Sequence, residues 1–252
     1  PYEFFQSYHH TYDRDDPFLY AELGFFTDRV EFPVLLENGN VWMSVVVSEI
    51  ESMADAIAEA HGKVITYGLG LGYYAFMAAE KDNVESVTVI EKNPDVIRLF
   101  TESILPFFPH KEKIQIIEAD ALEFVKAQED GCYDYAFSDF WGGYYDGVDL
   151  YMQFMPLTAR FSRTKHSYWI ESCFMEYFFR PVFMRLLMEK GLGQRVKLPE
   201  RSREVRALQD EFFRYMEAQP LSIASADDID RLLTPEEVTR WMRQFAVARS
   251  RK

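Results

Sequence analysis

From Val64 to Glu171 the apolar positions alternate between two patterns. Short apolar runs of strand character are followed by segments with helical spacing. The first run, Val64-Ile65-Thr66-Tyr67, leads into Gly68-Leu69-Gly70-Leu71-Gly72, and Ala75 to Glu80 then reads as a helix. A strand over Ser86–Glu91 is followed by Asn93, a good N-cap, and by Pro94, a good first helical residue. That helix should run to about Ile104, where Pro106 and Pro109 stop it. A strand over Ile114–Glu118 leads through Ala119-Asp120 into a helix ending near Gln128. A strand over Tyr133–Ser138 leads to Asp139-Phe140-Trp141-Gly142-Gly143. A helix of about fifteen residues is expected around Leu150–Phe161, kinked at Pro156, and a strand over Ser167–Glu171. Strands alternating with helices imply an α/β fold, a parallel sheet with helices on both faces.

The flanks differ. Asn38-Gly39 separates two apolar runs, Arg29–Leu36 and Val41–Val47, which predicts a β-hairpin. Ser48 and Glu51 have capping-box spacing, with Ile50, Met53, Ala54 and Ile57 on one helical face as far as His61-Gly62. Residues 1–28 are rich in aromatics and contain His9 and His10; they read as a tail packed on the domain or as a cover over a site. Beyond Phe174 the pattern is helical only. One helix covers Met175–Lys190, and a second carries Val205, Leu208, Phe212, Phe213 and Met216. A third starts at Thr234-Pro235-Glu236-Glu237 and carries Val238, Trp241, Met242 and Phe245. The expected division is therefore 1–62, an N-terminal segment with hairpin and helix; 63–175, an α/β core; and 176–252, a helical C-terminal extension.

Composition narrows the function classes. A net charge of −14 in 252 residues would repel a phosphate backbone, so nucleic acid is not expected as a partner. Glu176, Arg180 and Arg185 interrupt the richest apolar segment, so no membrane span is expected. Two cysteines, Cys132 and Cys173, form neither a disulfide framework nor a zinc site, and a cytoplasmic protein with reduced thiols is expected. Asp120, Asp139, Asp146 and Asp149 have no spacing that fixes a metal site, and no metal is assigned.

Candidate chemistry gathers at the carboxyl ends of the expected strands, where open α/β sheets bind ligands. Glycine at every second position of the turn permits sharp bending and close approach of a ligand. The helix after it presents free N–H groups to a polar or anionic group. The spacing G-x-G-x-G departs from the dinucleotide fingerprint, because Tyr73 stands where the third glycine would be. Glu91 ends the second strand and can accept both hydroxyls of a ribose. Asp120 follows the third strand beside Ala121 and can accept from an adenine amino group. Asp139 follows the fourth. The plain alternatives are a structural turn for the glycines and a loop-capping role for Asp139. Trp141, Tyr144 and Tyr145 read equally as ordinary packing or as an aromatic wall around a cation.

This pattern resembles the class I S-adenosylmethionine-dependent methyltransferases over roughly residues 40–172, and within them the spermidine-synthase branch. Glu91-Lys92-Asn93-Pro94-Asp95-Val96-Ile97, Ala119-Asp120-Ala121 and Tyr133-Asp134-Tyr135-Ala136-Phe137-Ser138-Asp139 carry the likeness, with the preceding hairpin and helix. The resemblance implies a Rossmann-like methyltransferase fold and S-adenosylmethionine as cofactor. It places Gly68, Gly70 and Gly72 beside the methionine part of the ligand and Glu91, with Lys92, at the ribose. Asp120 and Ala121 come to the adenine, and Asp139 to the reacting centre. Three positions depart from the pattern: Thr66 lacks the acid often found before the first glycine, Leu71 lacks the acid of aminopropyltransferases, and no Tyr-His-Glu element occurs around Ser52-Met53-Ala54. Methyl transfer to a small amine or hydroxyl, with a cationic acceptor allowed, is thus expected over aminopropyl transfer or a non-catalytic nucleoside-binding domain. A homodimer is compatible with the resemblance.

Overall fold

The computed structural model describes residues 4–6, 23–26, 28–142, 144–198 and 201–251. They divide into two compact units, one of residues 1–140 and 161–169 and one of residues 141–160 and 170–252.

In the first unit, β1 (Phe4–Gln6) pairs antiparallel with β2 (Leu23–Phe25). Strands β3 (Val34–Glu37) and β4 (Asn40–Ser44) form the expected hairpin, with Asn38 and Gly39 both at positive φ. That geometry is what an Asn-Gly turn supplies cheaply. Helices α1 (Val47–Ser52) and α2 (Ala54–Glu59) lead to β5 (Gly62–Tyr67). Then come α3 (Tyr73–Ala79), β6 (Val84–Glu91), α4 (Pro94–Ser103), β7 (Ile114–Glu118), α5 (Ala121–Ala127), β8 (Tyr135–Ser138) and β9 (Lys165–Tyr168).

Strands β5 to β9 form one sheet in the order β7-β6-β5-β8-β9, with every pairing parallel. This is the α/β, Rossmann-like architecture expected, with the N-terminal hairpin and C-terminal helices also present. The central strand β5 is buried from Val64 to Tyr67, as its unbroken run requires. Tyr74 of α3 stacks on Phe137 of β8 with ring centroids 4.1 Å apart. Phe100 of α4 is fully buried against Phe108. The chain leaves β5 toward β6 on one side and β8 toward the other, so the switch point lies at the carboxyl ends of β5 and β8.

The second unit contains α6 (Tyr144–Thr158), α7 (Glu171–Phe174), a π-turn (Met175–Phe179), α8 (Arg180–Leu192), α9 (Arg203–Glu217), α10 (Ala226–Leu232) and α11 (Pro235–Ser250). Its core is aromatic: Phe212 meets Phe179 and Phe245 edge-on. Glu171 accepts two hydrogen bonds from the Arg243 guanidinium, at 2.8 and 2.6 Å, and one from the Tyr151 hydroxyl.

Several local expectations are corrected. No capping box forms at Ser48 and Glu51; α1 begins earlier, with Val46 as its N-cap. The acid at the third helical position is Glu49, which takes both the Ser44 N–H and hydroxyl. Strand β9 ends at Tyr168, because its register with β8 ends at Ser138, and Glu171 opens a helix instead. Helix α6 starts six residues before Leu150. The Thr234 hydroxyl does not cap α11 and instead donates to the Arg231 carbonyl. Helix α10, held by a Ser225–Asp228 capping box, was not anticipated. The expected tail or cover role of His9 and His10 lies outside the described residues.

Candidate functional site at the carboxyl end of the sheet

The turn after β5 places Gly68, Gly70 and Gly72 at φ of 101°, 51° and 78°, a region that only glycine enters without strain. Each glycine also has a protein neighbour where a side chain would be. A Cβ on Gly68 would collide with the Asp139 carbonyl, one on Gly70 with the Met43 sulfur, and one on Gly72 with the Phe100 ring. The turn is anchored by Gly68 N–H to the Ile90 carbonyl at 2.8 Å and by Gly72 N–H to the Leu69 carbonyl at 2.8 Å.

Glu91, at the end of β6, is partly buried and bonded to its own surroundings. One carboxylate oxygen accepts from Leu69 N–H in the turn at 3.1 Å, and the other from Asn93 N–H at 2.8 Å. It therefore ties the turn to the start of α4. Asp120 caps α5, and a single oxygen, Oδ1, takes both Leu122 N–H and Glu123 N–H. Its other oxygen has no hydrogen bond to any described residue. Ala121 is buried beside it. Lys92 is exposed and makes no hydrogen bond to a described residue.

Asp139 follows β8 and meets the glycine turn. Its N–H donates to the Tyr67 carbonyl at 2.8 Å, which fixes the backbone at the switch point. Its carboxyl makes no hydrogen bond to a described residue, and its pKa is pushed up from the ordinary 3.8 to about 7. Burial is the main cause and the negative charge of Glu49 the second. Sequence reading missed Glu49; the available signal was Ser44, five residues before it, at the hairpin's exit.

The turn, Glu91, Asp120 and Asp139 thus occupy carboxyl ends of neighbouring strands of one sheet. Trp141 belongs to the second unit, where it is buried against Tyr151 and Phe154. It packs as a core residue. The side chains of Tyr144 and Tyr145 lie outside the described residues. Among the described residues no cluster of His, Cys, Asp or Glu is grouped to hold a metal ion, and no helix is long and apolar enough to cross a membrane.

Charge is divided unevenly between the units. The first holds 11 Lys and Arg against 26 Asp and Glu, a balance of −15; the second holds 16 against 15, a balance of +1. The candidate site therefore sits in the acidic unit, which favours cations and repels phosphates.

The acceptor set fits the hydroxyl and amino donors of an adenosyl ligand. Each Glu91 oxygen accepts one bond and keeps capacity for a second, and Asp120 keeps a whole oxygen.

The sheet order β7-β6-β5-β8-β9, with every pairing parallel, is a Rossmann-like α/β arrangement. Among solved structures the chain is similar to spermidine synthase from Thermotoga maritima, at 15% identity and a TM-score of 0.38, over 61% of this chain and 50% of that one. It is also similar to precorrin 8w decarboxylase from Methanobacterium thermoautotrophicum, at 19% and 0.36, over 46% and 57%. A third, TrmN from Thermus thermophilus, stands at 19% and 0.36, over 44% and 34%. The chain spans about half the length of these structures, or less. No family model and no curated protein matches it.

Proposed function

We propose that the chain is an S-adenosylmethionine-dependent methyltransferase acting on a small amine or hydroxyl acceptor. The observation that carries this reading is Asp139. It is a carboxyl at the switch point, beside the glycine turn, with no hydrogen bond to a described residue and a pKa raised to about 7. A carboxyl that keeps its proton until near neutrality is a competent general base at working pH. In this role Asp139 would orient the acceptor and take its proton.

When bound, the cofactor would supply a methyl group already activated on a sulfonium. The protein then has only to position the acceptor and exclude water. Glu91 would hold the ribose hydroxyls while it braces the turn, and Asp120 with Ala121 would border the adenine. A balance of −15 in this unit suits a cationic cofactor better than a pyrophosphate, which agrees with the departure of Tyr73 from the dinucleotide fingerprint.

Glu49 supports a second reading. It puts a second acidic group close enough to Asp139 to raise its pKa, which favours a cationic amine. Aminopropyl transfer from the decarboxylated cofactor therefore stays as the alternative, although Leu71 stands where that branch has an acid.

Incubation with each cofactor form and a panel of amines and hydroxyl compounds tests the choice. Adenosylhomocysteine is the expected product. Methylthioadenosine from the decarboxylated form with putrescine would replace methyl by aminopropyl transfer. Calorimetry in which NADH binds and S-adenosylmethionine does not would sink both.

A further inference from the structure

We propose that Met43 is a gate on the glycine turn, so that the β3–β4 hairpin must shift before a ligand can engage it. This rests on the reading of the turn as the nucleoside site. The Met43 sulfur accepts the Leu71 N–H at 2.9 Å and lies against Gly70. Leu71 N–H is thus occupied by the chain itself, and any ligand that comes up to the backbone at Gly70 meets the same sulfur.

The hairpin is built to place that side chain. Leu35 pairs with Met43 but Leu36 pairs with Val41, so Trp42 is an extra residue in the ladder. Such a bulge redirects the side chains beside it. Leu35 is buried, whereas Val34, Leu36, Val41 and Trp42 are all exposed. The hairpin pairs with no strand of the main sheet. A two-stranded hairpin in which Leu35 is the one buried side chain among the described residues has little local stability, as a moving element requires.

Closure lowers apparent affinity by the fraction of molecules in which the gate is open. Removing one modest hydrogen bond and the contact beside it should therefore raise affinity between about threefold and tenfold. The test is calorimetric titration of S-adenosylmethionine and S-adenosylhomocysteine into the full chain, as wild type, Met43→Ala and Met43→Leu. Leucine keeps the apolar bulk of the hairpin but offers no acceptor to Leu71 N–H, so it carries the test if the alanine variant folds poorly. Tighter binding by both variants, more so for alanine, is expected. Affinities within twofold of wild type would overturn the gate and leave the cofactor reading standing. Absence of saturable binding in all three proteins would overturn both.

Discussion

Asp139→Asn is the most revealing single change in this chain, because it separates the energetic role of the carboxyl from its chemical one. The pKa of Asp139 is raised from 3.8 to about 7 by burial and by Glu49. In the unfolded chain the group ionises near its ordinary value. Between about pH 4 and 7 the folded protein therefore holds a proton that the unfolded chain has lost, and rising pH favours unfolding. A shift of about three units sets a ceiling of about 4 kcal/mol on this loss. Asp139 keeps some contact with solvent, which brings the expected effect down to about 1–2 kcal/mol.

Asparagine has the same shape and does not titrate. The variant should match wild type near pH 4 and exceed it in stability by about 1–2 kcal/mol at pH 8. Urea melts of both proteins from pH 4 to 8.5 give the difference directly. Turnover of the variant should fall while cofactor binding persists, and Glu49→Gln should move the wild-type transition to lower pH. A stability gap that stays constant with pH would refute the reasoning, because the carboxyl would then be ordinary.

Three further outcomes are expected. Glu91→Ala should weaken cofactor binding by about 1–3 kcal/mol and also lower the melting temperature, since Leu69 and Asn93 N–H lose their acceptor; unchanged calorimetric affinity would remove Glu91 from the ligand. Asp120→Ser should keep most of the α5 cap and lose ligand affinity, whereas Asp120→Ala should also cost about 1 kcal/mol of stability; equal affinity in wild type and serine variant would make Asp120 a cap only. Gly72→Ala should destabilise the chain by about 1–3 kcal/mol with no ligand present, from strain at positive φ and the Phe100 ring, and a melting temperature equal to wild type would contradict this.

Much of the sheet was legible because its signals are local. Asn93 and Pro94 mark a helix start, and the Asn93 side chain does accept from Asp95 N–H. Asn38-Gly39 marks a hairpin, and the unbroken run of β5 marks a central strand. What failed depends on distant partners. Strand β9 ends where Trp169 N–H meets the Ser138 carbonyl, a register that periodicity does not encode. Glu171 could pass for a strand end until Arg243, 72 residues later, is seen to hold it. Two acids stand two positions apart in one helix, and only the hairpin decides that Glu49 turns back to Ser44.

The glycine turn shows how a sequence signal and its cause can separate. Alternating glycines suggested a backbone kept bare for a ligand. In the folded chain all three are demanded by the protein: by a carbonyl after β8, by a ring on α4 and by a sulfur on the hairpin. Glycine spacing alone therefore says little about occupancy. The carboxylates discriminate better, because their spare capacity can be counted. Glu91 and Asp120 have structural duties that explain why an acid stands there, yet both keep acceptor sites open. Asp139 has no such duty. Among the described residues its carboxyl braces no turn and caps no helix, while burial beside Glu49 makes its charge costly. An acid that costs the fold stability as pH rises above about 4, and whose carboxyl bonds no described residue, is a candidate for a functional rather than a packing role.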